Sequence, residues 1–304
     1  MKTWLAFVGA ICALTLAACG GGGGGGGGTD TGGGADQVGP QDPGPADPGG
    51  TPDQLPVDPG PTPDPGSTPD QGPTDPGLTP DQGGPEMVTF KAIVKDNLTK
   101  ELLEGAKVTA YDNETGEATQ YSTTSGSDAK ITMELPKGTG KMGFKVTLDG
   151  YKDTYQFNIA IDSGNEETLW AVSVNGYTMA AALAGFTPDP TKAIVAGAIY
   201  WVNDQGEEEY VGCATITSDP AGEYRYFGDT GLPAPLAQVP ETTTGKGEAR
   251  FVAGNIPPGK CTLKAWVKGQ EVGSASLFTF ADSICINNIY TQGTSNPTPA
   301  DCTK

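Results

Sequence analysis

The chain has 304 residues, no histidine, and 37 acidic side chains against 18 basic ones, a formal net charge of −19. Without histidine there is no Ser-His-Asp or Cys-His catalysis, no His-ligated zinc and no His-based pH switch. The acidic balance lacks the basic patch that nucleic acid requires, so no nucleic acid partner is expected.

The chain starts with Lys2 and an almost uninterrupted, uncharged apolar run from Trp4 to Leu16. That is the pattern of a secretory signal peptide over residues 1–18, too short to cross a bilayer as a helix with flanks. The run ends in Leu16-Ala17-Ala18-Cys19, which resembles the lipobox of bacterial lipoproteins. The resemblance implies cleavage between Ala18 and Cys19, with fatty acylation of the Cys19 sulfur and of its new amino group. Two or three acyl chains, at roughly 0.8 kcal/mol per buried methylene, make anchoring to a membrane permanent. The resemblance also implies a bacterial cell envelope location. Gly20 stands where an Asp signals inner-membrane retention in many such proteins, which implies a lipid anchor in the outer membrane, facing the periplasm or the surface.

Residues 19–86 read as a disordered tether. Gly20 to Gly28 is unbroken glycine, and the stretch to Glu86 is built from Pro, Gly, Asp, Thr and Gln, with Val38, Leu55, Val57 and Leu78 its only bulkier apolar residues. Nothing there can form a core. Ten Asp recur every five or six residues from Asp30 to Asp81 with no Lys or Arg among them. No D-x-D-x-D-G loop occurs and proline prevents wrapping of an ion, so the repeat is a self-repelling stalk rather than a calcium site. Fully extended it reaches roughly 180 Å, and as a flexible coil roughly 45 Å.

From Met87 short alternating apolar runs separated by turn residues begin. The expected first β-sandwich covers residues 87–176, with runs such as Val88-Thr89-Phe90-Lys91-Ala92 and the trio Ile131, Met133, Leu135 on one face. Leu103-Glu104-Gly105-Ala106-Lys107-Val108, Leu135-Pro136-Lys137-Gly138 and Leu148-Asp149-Gly150-Tyr151 resemble pieces of the carboxypeptidase regulatory-like, or transthyretin-like, sandwich. The resemblance implies a non-catalytic accessory or binding module. Gram-positive relatives of that family can join a Lys to an Asn by an isopeptide bond. Lys91 or Lys95 and Asn175 stand at matching places, but the acidic helper expected after the Pro-Lys-Gly turn is missing.

Residues 177–190 read as a connector with a short helix rich in Ala and Met over 177–184, Gly185 as its C-cap and Thr187-Pro188-Asp189-Pro190 as its stop. A second strand series gives a second sandwich over residues 191–293 and a tail over 294–304. The fold class is therefore all-β, two tandem transthyretin-like or Ig-like antiparallel sandwiches after the tether. Cys213, Cys261, Cys285 and Cys302 form an even set in an exported chain, hence two disulfides with three possible connectivities. Cys213 with Cys285 and Cys261 with Cys302 is the expected pairing. The cysteines are too far apart in sequence for paired zinc ligands, and no cofactor or metal is expected.

Tyr200, Trp201, Tyr210, Tyr224, Tyr226 and Phe227 concentrate aromatic side chains in the second sandwich. They are either a flat face for stacking on sugar rings or, for roughly half of them by strand alternation, core. The Pro- and Thr-rich loop over residues 230–244 is long enough to be a partner site. Glu207, Glu208, Glu209 and Asp229 are the candidates for paired-carboxylate hydrolysis, but three consecutive acids after Asp204-Gln205-Gly206 read better as a solvated hairpin. Asn97-Leu98-Thr99 and Asn113-Glu114-Thr115 match glycosylation sequons and read as turns. The expected function is a non-catalytic envelope lipoprotein that binds a protein or glycan partner; the alternative is a purely structural spacer or subunit of a larger envelope assembly.

Overall fold

Alternation of apolar and polar residues builds the first eight strands: β1 (Met87–Asp96), β2 (Lys107–Tyr111), β3 (Ala118–Thr124), β4 (Lys130–Pro136), β5 (Lys141–Thr147), β6 (Tyr151–Lys152), β7 (Thr154–Ala160) and β8 (Glu166–Ser173). They are seen in a computed structural model that describes residues 85–302 apart from residue 246. The expected signal cleavage and lipidation at Ala18 and Cys19, and the tether up to residue 84, lie outside the described residues. In β1, Phe90, Ala92 and Val94 are buried while Thr89 and Lys91 are exposed, the period of two that a half-buried strand requires. The order β4-β1-β8-β6 forms one sheet. Its inner face meets Val108, Ala110, Phe144 and Val146 from β2 and β5, and Phe90 stacks on Phe144 with ring centres 4.4 Å apart. Each of the Val and Phe side chains contributes roughly 1.5–3 kcal/mol by leaving water.

Helix α1 (Val174–Ala184) follows. Ser173 caps it, its Oγ accepting from the Gly176 N–H at 3.2 Å, and Gly185 ends it with φ of 73°, a left-handed conformation that glycine adopts at little cost. The second series is β9 (Ala193–Val202), β10 (Glu208–Tyr210), β11 (Ala214–Asp219), β12 (Glu223–Phe227), β13 (Pro233–Ala234), β14 (Arg250–Ile256), β15 (Gly259–Val267), β16 (Gln270–Thr279), β17 (Ser283–Ile286) and β18 (Ile289–Tyr290).

The two series are joined by one long sheet, ordered β13-β12-β14-β9-β17-β7-β5-β2-β3. The four residues of β17 lie parallel to β9 on one side and to β7 on the other, with Cys285 opposite both Val195 and Tyr155. Most ladders are antiparallel, but β17 with β7, β17 with β9, β18 with β9 and β1 with β8 are parallel. This departs from an all-antiparallel expectation: the last strands arrive by crossing over, not by a hairpin.

Register decides which face each residue serves. One side of the long sheet carries the core of the first sandwich and, further along, α1, which packs Tyr177, Ala181 and Ala184 on Ile194, Val252 and Ile284. The opposite side carries the three-stranded sheet β11-β15-β16, with Val195, Ile199, Phe251, Leu263 and Leu277 between the layers. The helix expected as a connector is thus a roof over the second half of the long sheet.

The disulfide pairing requires correction. Cys213 bonds Cys302, and the Cys261 and Cys285 thiols are buried and unbonded to each other. Cys285 is central in the long sheet with its side chain in the core, and Cys261 faces the same core from β15, so the C-terminal tail reaches neither. It reaches Cys213 instead, at the outer start of β11, where the Gly212 N–H donates to Thr298 Oγ1 at 3.0 Å. Burial pushes the Cys261 thiol up to about 11 and raises the Cys285 thiol well above the usual range, so neither is reactive at neutral pH.

In the parallel ladder Lys91 sits opposite Glu166 and Lys95 opposite Trp170, while Asn175 lies beyond the strand on α1.

Candidate ligand-binding site

The six aromatic residues singled out in the second sandwich divide by strand face. Tyr226 is buried and its hydroxyl accepts from the Ile216 N–H at 2.8 Å; burial pushes this phenol up to about 12. The Tyr224 hydroxyl accepts from the Ser218 N–H at 2.8 Å. Both phenols tie β12 to β11 across the sandwich and are structural. Phe227 lies under the Arg250 guanidinium at 4.7 Å, and the Trp201 indole donates to the Gly293 carbonyl at 3.3 Å.

Tyr200 and Tyr210 behave differently, because they form a row with a residue that sequence reading did not single out, Tyr290. Tyr200, 8% exposed, lies between Tyr210 at 5.0 Å and Tyr290 at 5.8 Å between ring centres. Tyr290 is 39% exposed and its hydroxyl donates to Glu208 Oε1 at 2.8 Å. Burial raises all three phenols above the usual tyrosine range. The row is a partly open aromatic ledge edged by a carboxylate.

The acids do not assemble into a hydrolytic pair. Glu208 and Glu209 are consecutive in β10 and so point to opposite faces. Glu209 accepts from Asn203 Nδ2 and Asn296 Nδ2, both at 3.3 Å, within its own hairpin and from the tail. Asp229 lies in an exposed turn closed by the Gly231 N–H donating to the Gly228 carbonyl at 2.8 Å. The loop over residues 230–244 is tied down at its end, where Thr242 Oγ1 accepts from the Ala214 N–H and donates to the Val211 carbonyl. Among the described residues no group of three or more potential ligands is placed to hold a metal ion.

A cavity opens beneath α1, on the helix side of the long sheet. Ile194, Ala196, Ile284 and Ile286 form its floor, Ala180 and Leu183 its roof, and Leu98, Phe227, Leu232 and Pro233 its ends. The volume within it that the centre of a water-sized molecule can reach is about 90 Å³. Four side chains with polar atoms interrupt the apolar wall. Ser173 is spent on the helix cap, and Tyr177 carries the Lys152 ammonium over its ring at 4.9 Å. The third is Arg250, only 2% exposed, which pairs with Glu248 at 3.5 Å and donates to the Gly247 carbonyl at 3.2 Å. The fourth is Asn97, whose Nδ2 is buried with no partner among the described residues.

Next to Asn97 stands Lys100, whose Nζ donates to the Asn97 carbonyl at 2.5 Å and lies 4.3 Å above the Trp170 ring. Burial lowers its pKa to about 8, and Asp96, Arg250, Glu248 and Lys95 act on it electrostatically. Asp96, Arg250, Glu248 and Lys95 thus all lie within electrostatic reach of Lys100, and of these residues Arg250 lines the cavity. Of the sequons, Asn97 belongs to this cavity, and Asn113 is engaged with Asn158, whose N–H donates to Asn113 Oδ1 at 2.8 Å. Sequence reading missed Arg250; the signal was a lone cation opening the apolar run Phe251-Val252-Ala253.

Comparison with protein families and with curated proteins finds no match. Among solved structures, the Bacillus anthracis TIE protein is similar at 16% identity and a TM-score of 0.23, over 69% of this chain and 34% of that one. The chain thus spans about a third of that protein. The shaft pilin SpaA from Lactobacillus rhamnosus GG is similar at 10% identity and a TM-score of 0.22, over 69% of this chain and 100% of that one. GBS52, the minor pilin of Streptococcus agalactiae, is similar at 10% identity and 0.21, over 70% and 99%. At these identities and scores the likeness bears on neither activity nor partners.

Proposed function

We propose that this chain is a non-catalytic lipoprotein of the bacterial envelope, anchored to the outer membrane through Cys19, whose β-sandwiches bind a protein or glycan partner. The observation that carries the reading is the ledge Tyr210-Tyr200-Tyr290, open at Tyr290 and edged by Glu208. Rings stacked in a row and held by a hydrogen-bonded carboxylate present a rigid, amphipathic contact surface at low entropic cost, the kind that sugar rings and protein side chains both use. The resemblance of the first sandwich to carboxypeptidase regulatory-like modules agrees with an accessory role without chemistry of its own.

A glycan array and an envelope-extract pull-down with the full chain test the reading. Capture that falls at least tenfold on Tyr290→Ala supports it, and capture of nothing by either method sinks it. Intact mass of the mature chain reports acylation at Cys19, and protease shaving of whole cells reports the face of the membrane. A second reading, a structural spacer within a larger assembly, is favoured by one feature: both sandwiches share a sheet through β17, which suits a stiff rod. A spacer retains no ligand in either assay.

A further inference from the structure

We infer that the cavity beneath α1 binds a small neutral carbonyl compound, an aliphatic ketone or aldehyde of about six carbons, whose oxygen accepts from Asn97 Nδ2. This goes beyond the proposed function, because none of the three ledge tyrosines lines the cavity and its test needs no partner on the ledge.

The walls set the body of the ligand. They are apolar on both sides, with Ala196 and Ile286 from the sheet opposite Ala180 and Leu183 from the helix, so what fills the space between is hydrocarbon. The reachable volume of about 90 Å³ holds about six to nine water-sized groups, which sets the length of the chain.

Asn97 sets the polar end. Its backbone is committed on both sides, the N–H donating to the Ala171 carbonyl at 2.8 Å and the carbonyl accepting from Lys100 Nζ. Asp96 Oδ1 locks the turn behind it by accepting from the Leu98 and Thr99 N–H groups, both at 2.7 Å. The side chain is thus held in the wall, with its Nδ2 buried and without a partner among the described residues. A buried donor in that state is costly, and an accepting ligand atom removes the cost. A carbonyl oxygen does so without bringing a donor that would need an acceptor in turn.

The ligand is neutral because, among the described residues, Arg250 is the one charged side chain in the wall, and Glu248 already balances it at 3.5 Å. A carboxylate or an ammonium placed here would be buried without a counter-charge of its own. Arg250 therefore takes no part in recognition.

Amide NMR titration of the isotope-labelled full chain with hexan-2-one tests the inference, with hexanoate as the charged ligand of equal length and benzene as an apolar ligand without oxygen. Hexan-2-one is expected to shift the Ala180, Leu183, Ile284 and Ile286 amides saturably, with one site per chain, and to move the Asn97 side-chain amide protons downfield. Hexanoate should bind at least tenfold more weakly. Asn97→Leu, which keeps the approximate shape and removes the donor, should weaken hexan-2-one about tenfold and leave benzene within about twofold. Ala180→Phe, which fills the cavity, should abolish both. Dispersion of the amide spectrum checks that each variant is folded. If Ala180→Phe is not, Leu183→Trp at the exposed rim replaces it and should also block binding. No saturable shift with hexan-2-one, hexanoate binding as tight, unchanged hexan-2-one affinity in Asn97→Leu, or binding that survives the cavity-filling variant overturns the inference.

Discussion

Among the described glycines, Gly197 leaves the least room for a side chain. A Cβ there would overlap the backbone carbonyl of Asn287, because the chain leaving β17 crosses directly over β9 at this point. Gly197→Ala should therefore cost about 3 kcal/mol, since backbone cannot move aside as a side-chain tip can. A drop in the urea midpoint with unchanged slope checks it. Lys100 carries a second expectation at this scale. Its folded pKa is lowered to about 8 from 10.5, so between those values the unfolded chain binds the proton more tightly and stability rises with pH. Near pH 10 the sign reverses: burial raises the Tyr155, Tyr200 and Tyr290 phenols in the folded chain, and the unfolded chain ionises them first. Urea midpoints should thus climb from pH 8 to about 10 and fall beyond it, and Lys100→Met should flatten the climb.

Among the elements, the C-terminal tail is held to β11 by one covalent bond. Cys213 and Cys302 are separated by 89 residues, a loop long enough that closing it should stabilise the fold by about 2–4 kcal/mol. Cys302→Ser should lower the unfolding free energy by that amount and expose the tail to limited proteolysis near Asn296. The strands themselves were legible: Phe90, Ala92 and Val94 alternate in β1, and Ile131, Met133 and Leu135 in β4, as period-two burial demands. So was the end of α1 at Gly185; its start at Ser173 was not, since Val174-Asn175-Gly176 are poor helix formers held by the cap. The apolar stretches from Tyr210 to Thr217 and from Ile284 to Tyr290 each divide between two strands in the structure. Cys213, with φ of 54°, separates β10 from β11, and Asn287-Asn288 separates β17 from β18. The cavity was not legible, because Asn97, α1 and Arg250 meet only through tertiary packing that leaves no local pattern.

Across the whole molecule the described strands and α1 fall in one compact unit, and β17 pairs with one strand of each series. Scanning calorimetry should therefore show a single transition for the two sandwiches, its calorimetric and van't Hoff enthalpies equal. Truncation after Asp282 should unfold the first sandwich's β7 edge as well as the second core, seen as lost amide protection at Tyr155 and Phe157. Because β17 comes after both β7 and β9 in the chain, a ribosome or translocon delivers it later than either of the strands it joins. Until it arrives, β7 and β9 each present an unpaired backbone row to whatever passes. The newborn chain is therefore most vulnerable to mispairing, and most in need of a chaperone, during the interval before β17 emerges.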